Sequence, residues 1–179
     1  EVAAAFDHLE QAGKVRHFGV SNQNPMMMEL LKTAVKQPLK VNQLQLSAAF
    51  TPSFEAGFHV NMEGPKAAVR DGSVFEYCRL TDTVIQAWSV LQHGFFKGNF
   101  VGKEEFAALN HVLNDLAKKY QVTPTAIALA WVLRYPGKMQ AIIGTTKPQH
   151  VLEAGKAATV TLTRKEWYQI YLAAGNDLP

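Results

Sequence analysis

The stretch GKVRHFGVSN, residues 13–22, decides how this chain folds. It predicts a helix that ends at Gly13, a short strand over residues 15–20, and a polar pair, Ser21 and Asn22, at the end of that strand. In proteins that alternate strands with helices, the carboxyl ends of the parallel strands open onto the ligand-binding face. Hydrogen-bonding side chains at this place therefore mark a candidate site, although spacing alone favours an ordinary turn capped by polar side chains.

The rest of the chain repeats the alternation of strand and helix. Further strands are predicted over residues 41–46, 83–88 and 140–143. Helices are predicted over residues 1–12, 104–120 and 123–133, and helix starts at Asn24, Ser73 and Thr163, the last two opening capping boxes. Residues 47–72 and 89–103 form long loops, which in compact domains are usually functional or mobile. This order predicts an α/β fold with about four parallel strands, either a portion of a barrel or an open doubly wound sheet.

Length and composition limit the possible classes of protein. The 179 residues suffice for a single domain, residues 1–179, but fall short of the roughly 250 typical of a complete (β/α)8 barrel. A net charge of +3 without a basic stripe argues against a nucleic-acid partner, and the lack of a long apolar run argues against a membrane span. No signal peptide is visible, and the single cysteine, Cys78, favours the cytoplasm. The chain begins with Glu1, so it is either processed or a piece of a longer protein.

Three further motifs have both a functional and a structural interpretation. Gln43 and Gln45 share one face of a strand, where they would either orient a polar ligand or form the solvated face of an edge strand. Trp88 ends a strand, where it could stack on a planar heterocycle, although a tryptophan there is more often a core residue. The segment GTT, residues 144–146, precedes a helix and forms either an anion site or a capped turn. The six histidines show no metal-ligand spacing, so no metal is predicted.

Together these segments resemble the C-terminal half of the aldo-keto reductases, from Glu1 to about Leu172. The resemblance is carried by GKVRHFGVSN (13–22), NQ (42–43), AWS (87–89), TPTAIALAW (123–131) and IGTT (143–146), in the order of the family. It is greatest to a bacterial subgroup with tryptophan at the stacking position. The resemblance implies half of a TIM-type (β/α)8 barrel and an oxidoreductase that reduces aldehydes or ketones with NADP(H), with NAD(H) as the alternative.

The resemblance also implies roles for individual residues. Ser21, Asn22 and Gln43 would hold the nicotinamide carboxamide, and Trp88 would stack on the nicotinamide ring. The remaining implied cofactor contacts are Ser89 and Leu91 along the pyrophosphate, and Gly144, Thr145 and Thr146 at the adenosine phosphate end. His150 stands where the family often has an arginine for the 2′-phosphate, and Ala154 where it often has an asparagine, so both weaken the case for NADPH over NADH.

The family's catalytic Asp, Tyr, Lys and His belong to the first half of the barrel, so no catalytic residue is assigned here. His8 and Tyr77 lie on predicted helices and are not given that role. Since about four strands cannot close a barrel, we expect either the missing half or a second copy to cover the sheet edges. Two alternatives remain: a non-catalytic dinucleotide-binding or regulatory module, and an unrelated α/β protein with coincidental turns.

Overall fold

A single parallel sheet organises the chain. The computed structural model describes residues 1–52, 73–94 and 97–176. Its strands are β1 (Phe18–Ser21), β2 (Leu39–Gln45), β3 (Val84–Trp88) and β4 (Met139–Ala141). They lie side by side in chain order and every pair is parallel. The order does not reverse within these four strands, which is the order of a (β/α)8 barrel, whereas a complete doubly wound sheet reverses its order at the switch point.

One helix precedes the first strand, and the other helices connect the strands or follow the last one. They are α1 (Val2–Gln11), α2 (Pro25–Lys32), α3 (Val74–Leu80), α4 (Ala107–Tyr120), α5 (Pro124–Leu133), α6 (Pro148–Gly155) and α7 (Arg164–Ala173). Short 3₁₀ turns at Glu104–Phe106 and Lys156–Thr159 flank α4 and α6. Most of the long loop predicted over residues 47–72 lies outside the described residues, as do residues 95–96 of the loop predicted over 89–103.

Two of the predicted helix starts are confirmed by their hydrogen bonds, and one capping box is wrong. Asn24 Oδ1 accepts from the Met27 amide at 2.9 Å, and Thr163 and Glu166 form a complete capping box. Ser73 precedes α3 but has a left-handed backbone (φ 69°), and its side chain makes no capping hydrogen bond. An N-cap residue needs an extended backbone to direct its hydroxyl at the first turn, and Ser73 does not have one.

The start of β1 differs from the prediction because it is set by pairing with β2. The first strand was predicted from residue 15, but β1 begins at Phe18, where its pairing with Leu39 begins. Gly19 then comes so close to β2 that a Cβ there would lie 2.6 Å from the Val41 Cβ. Only glycine allows this contact, since real Cβ atoms do not approach so closely.

The helix-covered face of the sheet holds the main core. Leu44, Ile85 and Ala87 belong to this core, and Asn42 on the same face is buried against Gln23 and Met28. Helix α5 is buried from Ala126 to Val132, as its apolar sequence on all sides predicts. On the other face, hereafter the open face, the alternate side chains of β2 and β3 are only half-buried.

Helices α5 and α7 are joined by a pair of indole rings. The rings of Trp131 and Trp167 stack with their centres 4.8 Å apart. Each indole N–H donates to the backbone carbonyl of the other residue, at 3.0 and 3.1 Å. This reciprocal arrangement satisfies both buried donors while the rings exclude water.

A buried carboxylate joins α4 to α7. Glu166 accepts hydrogen bonds from the Tyr120 hydroxyl at 2.9 Å, from the Thr163 amide at 2.7 Å, and from Lys119 Nζ. Burial raises the pKa of Glu166, but hydrogen bonds from Lys119 and Thr163 outweigh it and lower the pKa to about 2. The carboxylate is therefore charged at neutral pH and holds the two helices together.

Candidate functional site

The carboxyl ends of the strands place a row of polar side chains on the open face. In the pairing register, Ser21 lies opposite Gln43, Gln43 opposite Gln86, and Gln86 opposite Gln140. The expectation that Gln43 and Gln45 share one face is confirmed by the alternation of buried and half-buried residues along β2. The interpretation of β2 as an edge strand is wrong, because β1 and β3 flank it on both sides.

The end of β1 is tied to β2 by two hydrogen bonds to one carbonyl. The Ser21 hydroxyl donates to the Gln43 carbonyl oxygen at 3.2 Å, and the Asn22 amide donates to the same oxygen at 2.9 Å. Asn22 has a left-handed backbone with φ 53°. Asparagine tolerates this conformation better than most residues, so the chain turns sharply here toward α2.

Asn42 holds this turn from the covered face. It is fully buried, and its Nδ2 donates to the Gln23 carbonyl at 2.8 Å while its Oδ1 accepts from the Gln23 amide at 3.4 Å. The side chain thus binds both backbone groups of the residue that follows Asn22. Sequence analysis did not single out Asn42 for this role, because its position relative to the turn depends on the β1–β2 register.

Side-chain amides are linked along the open face. Gln43 Nε2 donates to Gln86 Oε1 at 3.2 Å, and Gln86 Nε2 donates to Gln140 Oε1 at 2.8 Å. We call Gln43, Gln86 and Gln140 the amide row. Gln86 and Gln140 were not predicted, since only the strand register brings them beside Gln43.

A cavity of about 540 Å³ lies where β3 and the segment after β4 meet α5 and α6. Six of the ten predicted cofactor contacts line it: Trp88, Ser89, Leu91, Gly144, Thr145 and His150. The predicted residues Ser21, Asn22, Gln43 and Thr146 do not line it. The first three lie along the same sheet edge at the ends of β1 and β2, so the predicted site divides into a cavity and an adjoining row.

Several residues that line the cavity were missed by sequence analysis. They are Gln92, Asn99, Thr125, Leu129 and Glu153, among others. Gln92 is notable because its buried Oε1 has no hydrogen-bond partner among the described residues. A buried amide oxygen without a donor is costly, so it marks a place where a ligand or water can donate.

The segment between β4 and α6 shapes one wall of the cavity. Thr145 Oγ1 accepts from the Lys147 amide at 3.2 Å and lies 3.4 Å from His150 Nδ1. Lys147 precedes α6, whose start has no side-chain cap, and Pro148 occupies the first turn. The amide groups of this helix start and its positive dipole end favour a negatively charged group nearby.

A lysine–tyrosine pair lies away from this edge. Lys32 Nζ is 2.6 Å from the Tyr77 hydroxyl and also bonds Glu29 at 2.9 Å. These residues belong to α2 and α3, and Tyr77 packs against the small core cluster of Met28, Val35 and Leu39. The pair therefore joins α2 to α3 in the helical layer.

Two other predicted absences concern metals and membranes. Within residues 1–52, 73–94 and 97–176, no group of three His, Cys, Asp or Glu side chains is placed to hold a metal ion. In that same part of the chain, no helix has the length and apolarity to cross a membrane. The absence of a nucleic-acid partner and the cytoplasmic location stay predictions.

Comparison with known proteins decides the family. The model of the aldo/keto reductase family matches residues 1–173. The chain belongs to the aldo/keto reductase family. This result overturns the alternative of an unrelated α/β protein with coincidental turns.

Relatives within the family show how much of it the chain represents. It is 34% identical over 181 residues to the oxidoreductase YdhF of Escherichia coli, covering 100% of this chain and 54% of that protein. It is 32% identical over 180 residues to a 6-dehydroglucose reductase of Agrobacterium fabrum, covering 99% of this chain and 53% of that protein. The chain thus spans about half the length of the curated relatives it matches.

A solved member of the family confirms the fold. The aldo-keto reductase of Klebsiella pneumoniae in complex with NADPH superposes with a TM-score of 0.68 at 22% identity, covering 93% of this chain and 51% of that one. The predicted partial TIM-type barrel, with four parallel strands and covering helices, is confirmed by this likeness and by the sheet order.

Proposed function

We propose that this chain supplies the dinucleotide-binding half of an NADP(H)-dependent aldo-keto reductase, an oxidoreductase that reduces aldehydes or ketones. One observation carries the proposal: the polar ends of β1 and β2 and the cavity beyond β3 share one edge of the sheet. Trp88 lines the cavity, and its register partner is Gln45, which follows Gln43 on the same face. An extended dinucleotide could lie along this edge and contact both regions.

The nicotinamide end fits the region of Ser21, Asn22 and Gln43. A carboxamide both donates and accepts hydrogen bonds, and hydroxyl and amide side chains offer both functions. The half-buried indole of Trp88 would cover one face of the nicotinamide ring and leave the other to the substrate. Fixing the ring in this way favours one hydride face, since small misplacement of reacting atoms costs rate steeply.

The phosphate and adenosine end fits the cavity. Ser89 and Leu91 would lie along the pyrophosphate. Gly144 and Thr145 in the cavity wall, followed by Thr146 outside it, would contact the adenosine phosphate near the start of α6. The buried Oε1 of Gln92 would accept from a ligand group or from water bound with it.

Two side chains bear on the choice between NADP(H) and NAD(H). His150 would face the 2′-phosphate, although a histidine offers less charge than an arginine fork. Glu153 lines the same cavity and carries a negative charge that opposes a phosphate there. We therefore keep NAD(H) as the alternative cofactor, to be decided by direct comparison of the two affinities.

The chemistry divides between the cofactor and the protein. Bound NADPH supplies the hydride, while these residues bind, orient and shield it. A proton donor is also needed, and the described lysine–tyrosine pair lies in the helical layer instead of at this edge. We propose that the donor belongs to the other half of the barrel.

That other half would cover surfaces that this chain leaves open. In the described sheet, β1 and β4 each pair on one side only, and the open face is half-exposed. Unpaired strand edges promote association with other chains. Because the matched relatives are about twice as long, we propose that a first barrel half covers these edges, residues 1–179 forming one part of a single domain.

A second candidate function is a non-catalytic dinucleotide-binding or regulatory module. It is favoured by one observation, namely that the described residues at the carboxyl edge include polar groups suited to a dinucleotide but no tyrosine–lysine pair. The two candidates differ in whether bound NADPH is ever oxidised by a carbonyl substrate.

Binding and hydride transfer test the proposal together. Tryptophan fluorescence would be titrated with NADPH and NADH in the 179-residue chain and in the complete protein. Trp88→Phe serves as the control, because Trp131 and Trp167 add a constant background. We expect quenching that Trp88→Phe largely removes, and NADPH oxidation by aldehydes only when the other barrel half is present.

Each result separates the candidates. Quenching without oxidation by a panel of aldehydes and ketones in the complete protein would favour the non-catalytic module. No quenching by either cofactor would reject dinucleotide binding. Activity of the 179-residue chain alone, together with a dimeric mass, would show that a second copy covers the edges.

A further inference from the structure

The amide row sets the orientation of one side chain in the proposed nicotinamide site. Each amide in the row donates to the next, so the direction of donation runs from Gln43 through Gln86 to Gln140. Gln43 Nε2 faces Gln86, which leaves Gln43 Oε1 as an acceptor for another group. The three amides thus form one hydrogen-bonded unit, in which donation runs toward Gln140.

Reversing Gln43 alone would bring two acceptors together. Its Oε1 would then face Gln86 Oε1 across the 3.2 Å that now joins a donor to an acceptor. To restore a hydrogen bond, Gln86 would also have to rotate, and its own Oε1 would then oppose Gln140 Oε1. The row therefore reverses as a whole, and whatever fixes one member fixes the others.

We propose that Gln86 is a positioning residue that holds Gln43 with its Oε1 toward the cofactor, so that the site selects a carboxamide over a carboxylate on the pyridine ring. This inference rests on the proposed function. A carboxamide NH₂ can donate to Gln43 Oε1, whereas a carboxylate has only acceptors and would face another acceptor. Gln86 acts through Gln43 and need not touch the ligand.

The test compares two dinucleotides that differ only in this group. NADP⁺ carries the carboxamide, and nicotinic acid adenine dinucleotide phosphate carries the carboxylate. Dissociation constants of both are measured by tryptophan fluorescence in the complete protein, and the readout is their ratio. A substitution that only loosens the structure weakens both ligands alike and leaves the ratio unchanged.

Three variants in the amide row and one control variant outside it test the proposal. Gln86→Leu frees Gln43 to rotate, and we expect the preference for NADP⁺ to fall about three- to tenfold, the value of one neutral hydrogen bond. Gln140→Glu can only accept from Gln86, so it locks the observed direction and should raise the preference. Gln140→Leu removes the end of the row and should lower it less than Gln86→Leu does. Gln169→Leu, an exposed amide on α7, is the matched control and should change nothing.

The double variant Gln86→Leu/Gln140→Glu separates the row from a simple charge effect. If the row transmits the orientation, the double variant has the ratio of Gln86→Leu alone. A ratio still raised by Gln140→Glu when Gln86 is absent would show direct charge repulsion and overturn the inference. An unchanged ratio in Gln86→Leu would also overturn it.

Folding and the proposed function are checked independently. If Gln86→Leu does not fold, judged by its thermal transition, the two Gln140 single variants still test the row, because opposite shifts of the ratio are required. A wild-type protein that binds neither dinucleotide would reject the proposed function. If the wild-type protein binds NADP⁺ but the ratio of the two dissociation constants is the same in all the row variants, only the role of Gln86 is rejected.

Discussion

The two faces of the sheet differ in how they treat polar groups. On the covered face, the buried polar side chain Asn42 bonds both backbone groups of Gln23, and deeper in the helical layer Glu166 is surrounded by donors. On the open face, the buried Gln45 Nε2 has no hydrogen-bond partner among the described residues, and Gln43 keeps an acceptor available. On the open face, these available polar groups mark places where a ligand or water can bind.

The largest effect on stability is expected from a substitution in the core on the covered side of the sheet. Trp131→Ala deletes a fully buried ring that stacks on Trp167, and we expect a loss of about 3–5 kcal/mol in the free energy of unfolding. Urea denaturation measures this change. Leu152→Ala, at a side chain 68% exposed, is the control and should change stability by less than about 0.5 kcal/mol. Equal losses in both variants would contradict the placement of the core.

The acid dependence of stability tests the buried carboxylate. The pKa of Glu166 is lowered to about 2, so its contribution is present above its ordinary value of 4.5 and is lost as pH falls toward 2. The shift corresponds to stabilisation on the order of 3 kcal/mol. We expect the free energy of unfolding to fall over this range in the wild type and less in Glu166→Gln. Parallel pH curves for the two proteins would refute the assignment.

On the open face, we expect substitutions to change cofactor binding more than stability. Gln43→Ala removes a half-buried amide from the proposed nicotinamide site, and we expect weaker NADPH binding by about 1–3 kcal/mol. The unfolding free energy should change little. Fluorescence titration measures the first quantity and urea denaturation the second, with Gln169→Ala as control. An unchanged dissociation constant would remove Gln43 from the site.

Asn42 lies on the covered face but holds the turn next to the proposed site, so its substitution tests whether stability and binding are coupled. Asn42→Ala leaves the Gln23 backbone groups without their buried partner, at a cost of about 1–2 kcal/mol in stability. Because the turn at Asn22 is then less constrained, NADPH affinity should fall as well. A stability loss without any change in affinity would show that the turn is fixed independently of Asn42.

Local sequence signals predicted the helices and strands better than they predicted how these elements contact one another. The cap at Asn24, the capping box at Thr163 and the burial of α5 each depend on residues close in the chain, and the structure confirms them. The capping box at Ser73 failed because the backbone enters α3 in a left-handed conformation that the motif does not reveal. β1 starts late because its first partner, Leu39, is set by the neighbouring strand.

The candidate site was partly predictable for the same reason. Six residues were predicted from the resemblance to the family, and the structure brings them to one cavity: Trp88, Ser89, Leu91, Gly144, Thr145 and His150. Gln92 and Glu153 were missed, because nothing in their immediate sequence indicates that their side chains reach it. Gln86 gave no signal as a lone glutamine in a strand, and only its register with Gln43 and Gln140 makes it part of a row.

The amino-acid sequence by itself determined the order of strands and helices, the apolar character of α5 and the family to which the chain belongs, because each is encoded by residues near one another or by their order. Only the tertiary structure decided which side chains face each other across the sheet and which buried groups have no partner. Those features depend on strand register, which arises from packing between segments distant in sequence. The proposed site lies where these distant segments meet.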